Sequence, residues 1–250
     1  MVRSDFRSDQ AEADLSRSFD KACVIGAGSV GLGIAAEFAS AGIKVSLVAQ
    51  DGEVLSVTEK EITSILVFLE EAGRFGIDRH ETVMDRITFS TSITEGSRCA
   101  DLIVESLVDD LDLKQKALVT ASKAAKADAI LSSNTSSFLP SVIAGVLNRP
   151  EHFAVAHYFS PPYLVPLVEL VPGEKTASYV IDELENFYRS IGKEPVCLEK
   201  EILGSIGNRL QTAMMREALA LVEDGYAEPK AFDAVVKNTI GRRLAVAGPF

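Results

Sequence analysis

Lys21-Ala22-Cys23-Val24-Ile25-Gly26-Ala27-Gly28-Ser29-Val30-Gly31-Leu32-Gly33 decides the fold. A short apolar run enters Gly26-x-Gly28-x-x-Gly31, and residues 34–41 continue as the small and apolar pattern of a helix. Gly42 stops that helix, and residues 43–48 read as a second strand. Glycine at 26 permits a tight turn, glycine at 28 lets the backbone approach a pyrophosphate, and glycine at 31 lets helix and strand pack closely. The helix N-terminus adds free N–H groups and the positive end of its dipole. In this strand–turn–helix–strand setting the segment predicts a dinucleotide site made by Gly26, Ala27, Gly28, Ser29, Val30 and Gly31.

One position departs from the pattern. The second strand of an NAD-binding unit should end in Asp or Glu, about twenty residues past the glycines, to bond the ribose 2′-hydroxyl. Here that place is Ala49, followed by Gln50 and Asp51. Three accounts compete: Asp51 swings in, Gln50 holds the ribose, or the site favours NADP. The last is disfavoured, because no Arg or Lys lies between Lys44 and Lys60 to meet a 2′-phosphate. NAD is therefore the expected cofactor, bound with weakened affinity.

The chain has 250 residues, 47% of them apolar, enough for one large or two smaller cores. A net charge of −11 argues against nucleic acid or an anionic membrane surface as partner. No run of about 18 apolar residues occurs, so no spanning helix is expected. Residues 1–20 lack the apolar stretch of a secretory signal and read as a flexible extension, which makes the cytoplasm the expected location. Cys23, Cys99 and Cys197 show no metal spacing and read as buried thiols in a reducing compartment; no metal site is expected.

Strands and helices alternate through residue 198: a long helix at 52–73, a strand at 87–89, a turn at 95–97, a strand at 101–105, a helix at 113–126 and a strand at 129–131. Further strands at 152–158, 165–171 and 195–198 enclose a helix at 179–190. Such alternation predicts an α/β fold with a parallel, doubly wound, Rossmann-like sheet. Past residue 200 the chain reads as purely helical. The expected organisation is a dinucleotide-binding domain at 21–199 followed by a smaller helical domain for substrate and dimer contacts at 200–250.

Downstream lie Ser132-Ser133-Asn134-Thr135-Ser136-Ser137, then His157 in Val155-Ala156-His157-Tyr158-Phe159-Ser160-Pro161-Pro162, then Glu169 in an apolar run. Oxidation of an alcohol removes a hydroxyl proton as the hydride leaves, and histidine accepts protons near neutrality. A carboxylate in an apolar strand needs a partner, and bonding the far ring nitrogen of His157 would fix the tautomer. Ser136 and Asn208 can bond the same substrate oxygen. The bland alternatives are a core histidine, a turn role for Ser136, a helix N-cap role for Asn208 and a solvated helix face for Lys114.

Together these motifs, with Gly192-Lys193-Glu194-Pro195-Val196, Gly207-Asn208-Arg209-Leu210 and Gly248-Pro249-Phe250, resemble the 3-hydroxyacyl-CoA dehydrogenase family from Lys21 to Phe250. The resemblance implies catalysis by His157 as base, with Glu169, Ser136 and Asn208. It places Asp109, Lys114 and Ser160 near the cofactor, Ser160 standing where the family usually has Asn. It also implies NAD as cofactor, a homodimer formed through the helical domain, and further helices after Gly-Pro-Phe, so that the helical domain reads as incomplete. The helix at 59–73 carries Lys60 against Glu59, Glu61, Glu70 and Glu71, a poor surface for a CoA nucleotide. In places the chain looks more like the lambda-crystallin and L-gulonate 3-dehydrogenase branch, and carnitine dehydrogenases are also similar. Acyl-CoA and free-acid substrates both stay open. Arg209 or Lys114 is the expected cation for a free carboxylate. A crystallin-like binder without catalysis and an NADPH-linked reductase are the remaining readings.

Overall fold

A computed structural model of the chain describes residues 19–73 and 79–250. Most of the stretch read above as an N-terminal extension, residues 1–18, lies outside these. The chain divides into two compact units that meet at Leu203/Gly204.

The first unit is built on β1 (Lys21–Ile25), α1 (Ser29–Ser40), β2 (Lys44–Val48), α2 (Gly52–Glu71), α3 (His80–Met84), β3 (Ile87–Ser90), α4 (Ile93–Ser97) and β4 (Leu102–Glu105). It continues with α5 (Leu111–Ala124), β5 (Ile130–Ser133), α6 (Pro140–Ala144), β6 (Phe153–Tyr158), β7 (Leu167–Pro172), α7 (Ser178–Ser190) and β8 (Glu194–Cys197). The strands form one sheet in the order β3-β2-β1-β4-β5-β6-β7-β8. The order reverses between β1 and β4, and in open α/β sheets the crevice at such a switch point receives the ligand.

Two apolar layers cover the sheet. On one side α1, α2 and α7 bring Phe38, Leu66, Leu184 and Tyr188 onto β1, β2 and β6. On the other, α5 and α6 bring Leu118, Ala121 and Ile143 onto β4 and β5. α2 shows how the pattern builds the layer. Thr58, Ile62, Leu66 and Leu69 return to one face every three or four residues and are buried, while the glutamates between them point out.

Three expectations are corrected. The sheet is not wholly parallel, since β6 and β7 run antiparallel. Only residues 159–166 connect them, too few for the crossover that parallel neighbours require. Residues 95–97 belong to the short helix α4, which Ser92 caps by accepting the N–H of Glu95, a Ser-x-x-Glu start signal. Gly96 lets α4 lie on the sheet, since a Cβ there would sit 2.5 Å from the Val48 side chain. Of the three thiols only Cys23 is buried; Cys99 and Cys197 are exposed.

The second unit consists of α8 (Ser205–Glu223), α9 (Pro229–Asn238) and α10 (Ile240–Leu244). Gly204, in the left-handed conformation at φ 78°, starts α8. Among the described residues no helix is long and apolar enough to cross a membrane.

Candidate active site

The crevice is shaped first by glycine. Gly26 ends β1 at φ +117°, and a Cβ there would lie 2.4 Å from the Ser106 carbonyl oxygen at the end of β4. A Cβ on Gly31 would lie 2.0 Å from the carbonyl oxygen of Gly26. Both positions exclude side chains on contact alone. Gly28 differs, because its missing Cβ opens onto free space. It is also the N-cap of α1, and no side chain caps that helix. The first N–H groups of α1 thus face an open cradle, which is the fit a dinucleotide pyrophosphate needs.

From that cradle a cleft of about 360 Å³ runs along the strand ends, lined by Gly28, Ser29, Asp109, Asn134, Ser136 and His157 among others. His157 is near the end of β6 and stands directly opposite Glu169 of β7 in the antiparallel register. The histidine Nδ1 lies 2.8 Å from Glu169 Oε2, and both residues are buried. A carboxylate can only accept, so Nδ1 carries the proton and the lone pair sits on Nε2. The antiparallel turn that the sequence reading missed is what makes this pair, because it sets the two strands face to face. Phe159 packs on the imidazole with ring centroids 4.8 Å apart.

Asn134, passed over as a site residue, braces the same strand by accepting the Tyr158 N–H at 2.8 Å. Asp109 accepts hydrogen bonds from Thr135 at 3.2 Å and Ser137 at 2.7 Å, tying the β4–α5 loop to the serine-rich segment. Lys114 overturns its solvated-face alternative. It is 1% exposed and begins the buried stripe Lys114, Ala117, Leu118, Ala121 of α5. Its ammonium donates to Glu105 Oε1 at 3.0 Å and to the Leu107 carbonyl at 2.9 Å, so it is not a free cation for a substrate. Glu105 was also missed, although a charge closing an otherwise apolar strand was a visible signal. It accepts from Leu107 N at 2.6 Å and Ser133 Oγ at 2.5 Å besides Lys114.

Ser160 is exposed in the β6–β7 connection and does not line the cleft. Asn208 lies inside α8, in the second unit, so it is not an N-cap. Ala49 is buried at the end of β2, and its N–H bonds Ser90. Asp51 is engaged as the N-cap of α2, accepting the Val54 N–H at 2.9 Å.

A glycine cradle at the switch point of a doubly wound sheet defines a dinucleotide-binding domain of Rossmann type. The family description "3-hydroxyacyl-CoA dehydrogenase, NAD binding domain" matches residues 21–202, and that of the family's C-terminal domain matches residues 204–250. The chain belongs to the 3-hydroxyacyl-CoA dehydrogenase family and is an NAD-dependent dehydrogenase. It is 37% identical over 230 residues to an L-carnitine dehydrogenase of Oceanobacillus iheyensis, covering 92% of this chain and 74% of that protein. It is 34% identical over 227 residues to the human lambda-crystallin homolog, covering 90% of this chain and 71% of that one. Among solved structures, the NAD+-dependent 5-formyl-3-hydroxy-2-methylpyridine 4-carboxylic acid 5-dehydrogenase superposes with a TM-score of 0.86 at 28% identity, over 93% of this chain and 74% of that one.

Proposed function

We propose that the protein oxidises the 3-hydroxyl of a small free 3-hydroxy acid to the 3-keto acid, with His157 as the base. The observation that carries this is the His157–Glu169 pair beside the glycine cradle. NAD held at the cradle of Gly26, Gly28 and Gly31 would supply the acceptor for the hydride of C3. His157 Nε2 takes the hydroxyl proton, and the Glu169 carboxylate stabilises the imidazolium that results. Ser136, on the same cleft wall, is assigned to hold the substrate oxygen.

The free-acid reading draws on α2, which presents Lys60 against Glu59, Glu61, Glu70 and Glu71 and would repel a phosphorylated carrier. L-carnitine dehydrogenases among the relatives support it as well. The family description favours the second reading, a 3-hydroxyacyl-CoA thioester. NAD reduction assayed with L-carnitine, L-gulonate, 3-hydroxybutyrate and 3-hydroxybutyryl-CoA separates the two. Turnover of a free acid is expected. A kcat/KM above about 10⁵ M⁻¹s⁻¹ with the thioester alone would overturn the free-acid reading.

A further inference from the structure

Neither the cofactor cradle nor the base uses the segment Gly192-Lys193-Glu194-Pro195-Val196, yet it carries a buried charge. The Lys193 side chain is 3% exposed. Its ammonium donates to Glu37 Oε1 at 2.8 Å, to the Pro162 carbonyl at 2.8 Å and to the Val165 carbonyl at 2.7 Å. Those three bonds use every N–H the group has. It also lies 5.5 Å from the centroid of the Tyr158 ring, the residue after the base.

Two of the three acceptors belong to the β6–β7 connection, which begins two residues after His157 and contains Ser160. The third is on α1, the helix that the glycine cradle opens. One turn before Glu37, Gly33 faces the same connection, and a Cβ there would lie 2.8 to 3.2 Å from the ring atoms of Pro162. Gly33 and Glu37 are four apart and share one helix face. That face receives Pro162 by contact and holds its carbonyl through Lys193.

We propose that Lys193, held by Glu37, is a positioning residue that clamps the β6–β7 connection onto α1 and so sets His157 and Ser160 relative to the cofactor cradle. A lysine suits the task because one ammonium reaches two carbonyls of a turn and a carboxylate at once. Glu37 supplies the third acceptor of the buried ammonium and, when ionised, its counter-charge. The catalytic consequence rests on the dehydrogenase reading, whereas the clamp itself is a property of the first unit alone.

The test uses the full chain carrying Lys193→Met together with Glu37→Gln, a pair that removes both charges and keeps side-chain volume. Hydrogen exchange is read at Leu164 and Val165, whose N–H groups both bond the Pro161 carbonyl. Exchange there should rise by about tenfold or more while β1 and β4 stay protected. The NMR titration of the His157 ring should shift, and kcat should fall by about tenfold or more with NADH affinity retained. Gly33→Ala, which displaces Pro162 and leaves every charge in place, should reproduce both signatures. Glu37→Gln alone keeps an acceptor for Lys193 and should give a smaller change. Unaltered exchange at Leu164 and Val165 in both the double variant and Gly33→Ala would overturn the clamp. Raised exchange with an unmoved His157 titration would overturn the positioning role. Neither readout needs a substrate, so a wild type inactive on the whole substrate panel would count against the dehydrogenase reading and not against the clamp.

Discussion

Two buried lysine–glutamate pairs serve this site, and they are built differently. In the Glu105–Lys114 pair both carboxylate oxygens are occupied by Leu107 N–H, the Ser133 hydroxyl and the ammonium. In the Glu37–Lys193 pair only Oε1 of the carboxylate is bonded to the lysine, and Oε2 is buried with no hydrogen-bond partner. Burial pushes the Glu37 carboxyl up to about 7, and Lys193 offsets this only in part. A buried carboxylate left half-bonded is drawn towards the protonated form. The first pair is a closed joint between β4, β5 and α5. The second is a joint whose charge can change near neutral pH.

The largest expected effect falls on the base, the reference against which both joints are measured. His157→Gln should lower kcat by about 10²–10⁴ while NADH binding, followed by fluorescence, stays near wild type. Surviving turnover would remove His157 from the mechanism. Next comes the closed joint: Glu105→Gln leaves the buried Lys114 only the half-exposed Asp109 carboxylate, 3.6 Å away, as counter-charge and should cost about 3 kcal/mol in urea denaturation. Glu37→Gln replaces a half-bonded carboxylate and should cost about 1 kcal/mol or less. Equal losses would erase the distinction between the two.

The pH dependence sharpens the same contrast. The folded-state value of Glu37 lies above its ordinary 4.5, so the native state holds this proton more tightly than the unfolded chain does. Its contribution to stability is fully present below about 4.5 and is lost as pH rises to about 7. Lys193 faces the carboxylate, and the buried hydroxyls of Tyr158 and Tyr188 lie in the same electrostatic environment. The stability of wild type relative to Glu37→Gln, measured across that interval, should therefore fall and then level off. A difference that does not vary with pH would place the ionised form in the fold throughout. The smallest effect belongs to a carboxylate at the surface. Asp51→Ala removes an N-cap and should cost about 1 kcal/mol of stability, with NADH affinity unchanged. Loss of NADH affinity would instead give Asp51 the ribose.

Much of this was legible in the chain. The glycine spacing and the two flanking strands announced the cradle, since each glycine there answers a local contact or turn that any folded copy must meet. The helical stripe of α2 was readable for the same reason, periodicity being local. The Ser92-x-x-Glu95 signal for α4 was readable too and was passed over. Lys114 stayed open between a place near the cofactor and a solvated helix face because a lysine on a helix normally faces water, and only its position on the Ala117–Leu118–Ala121 stripe argued against the latter.

What the sequence by itself determined is the cradle and the presence of a histidine and a carboxylate suited to proton transfer, because spacing and residue chemistry act over a few residues. What only the tertiary structure decided is how distant residues are paired. His157 meets Glu169 because the eight residues between β6 and β7 are too few for a crossover and turn β7 antiparallel. Lys193 meets Glu37 across 156 positions because α1 and the turn before β8 converge on one connection. Such pairings cost chain entropy and burial that no local pattern records, and packing of the whole unit is what compensates them.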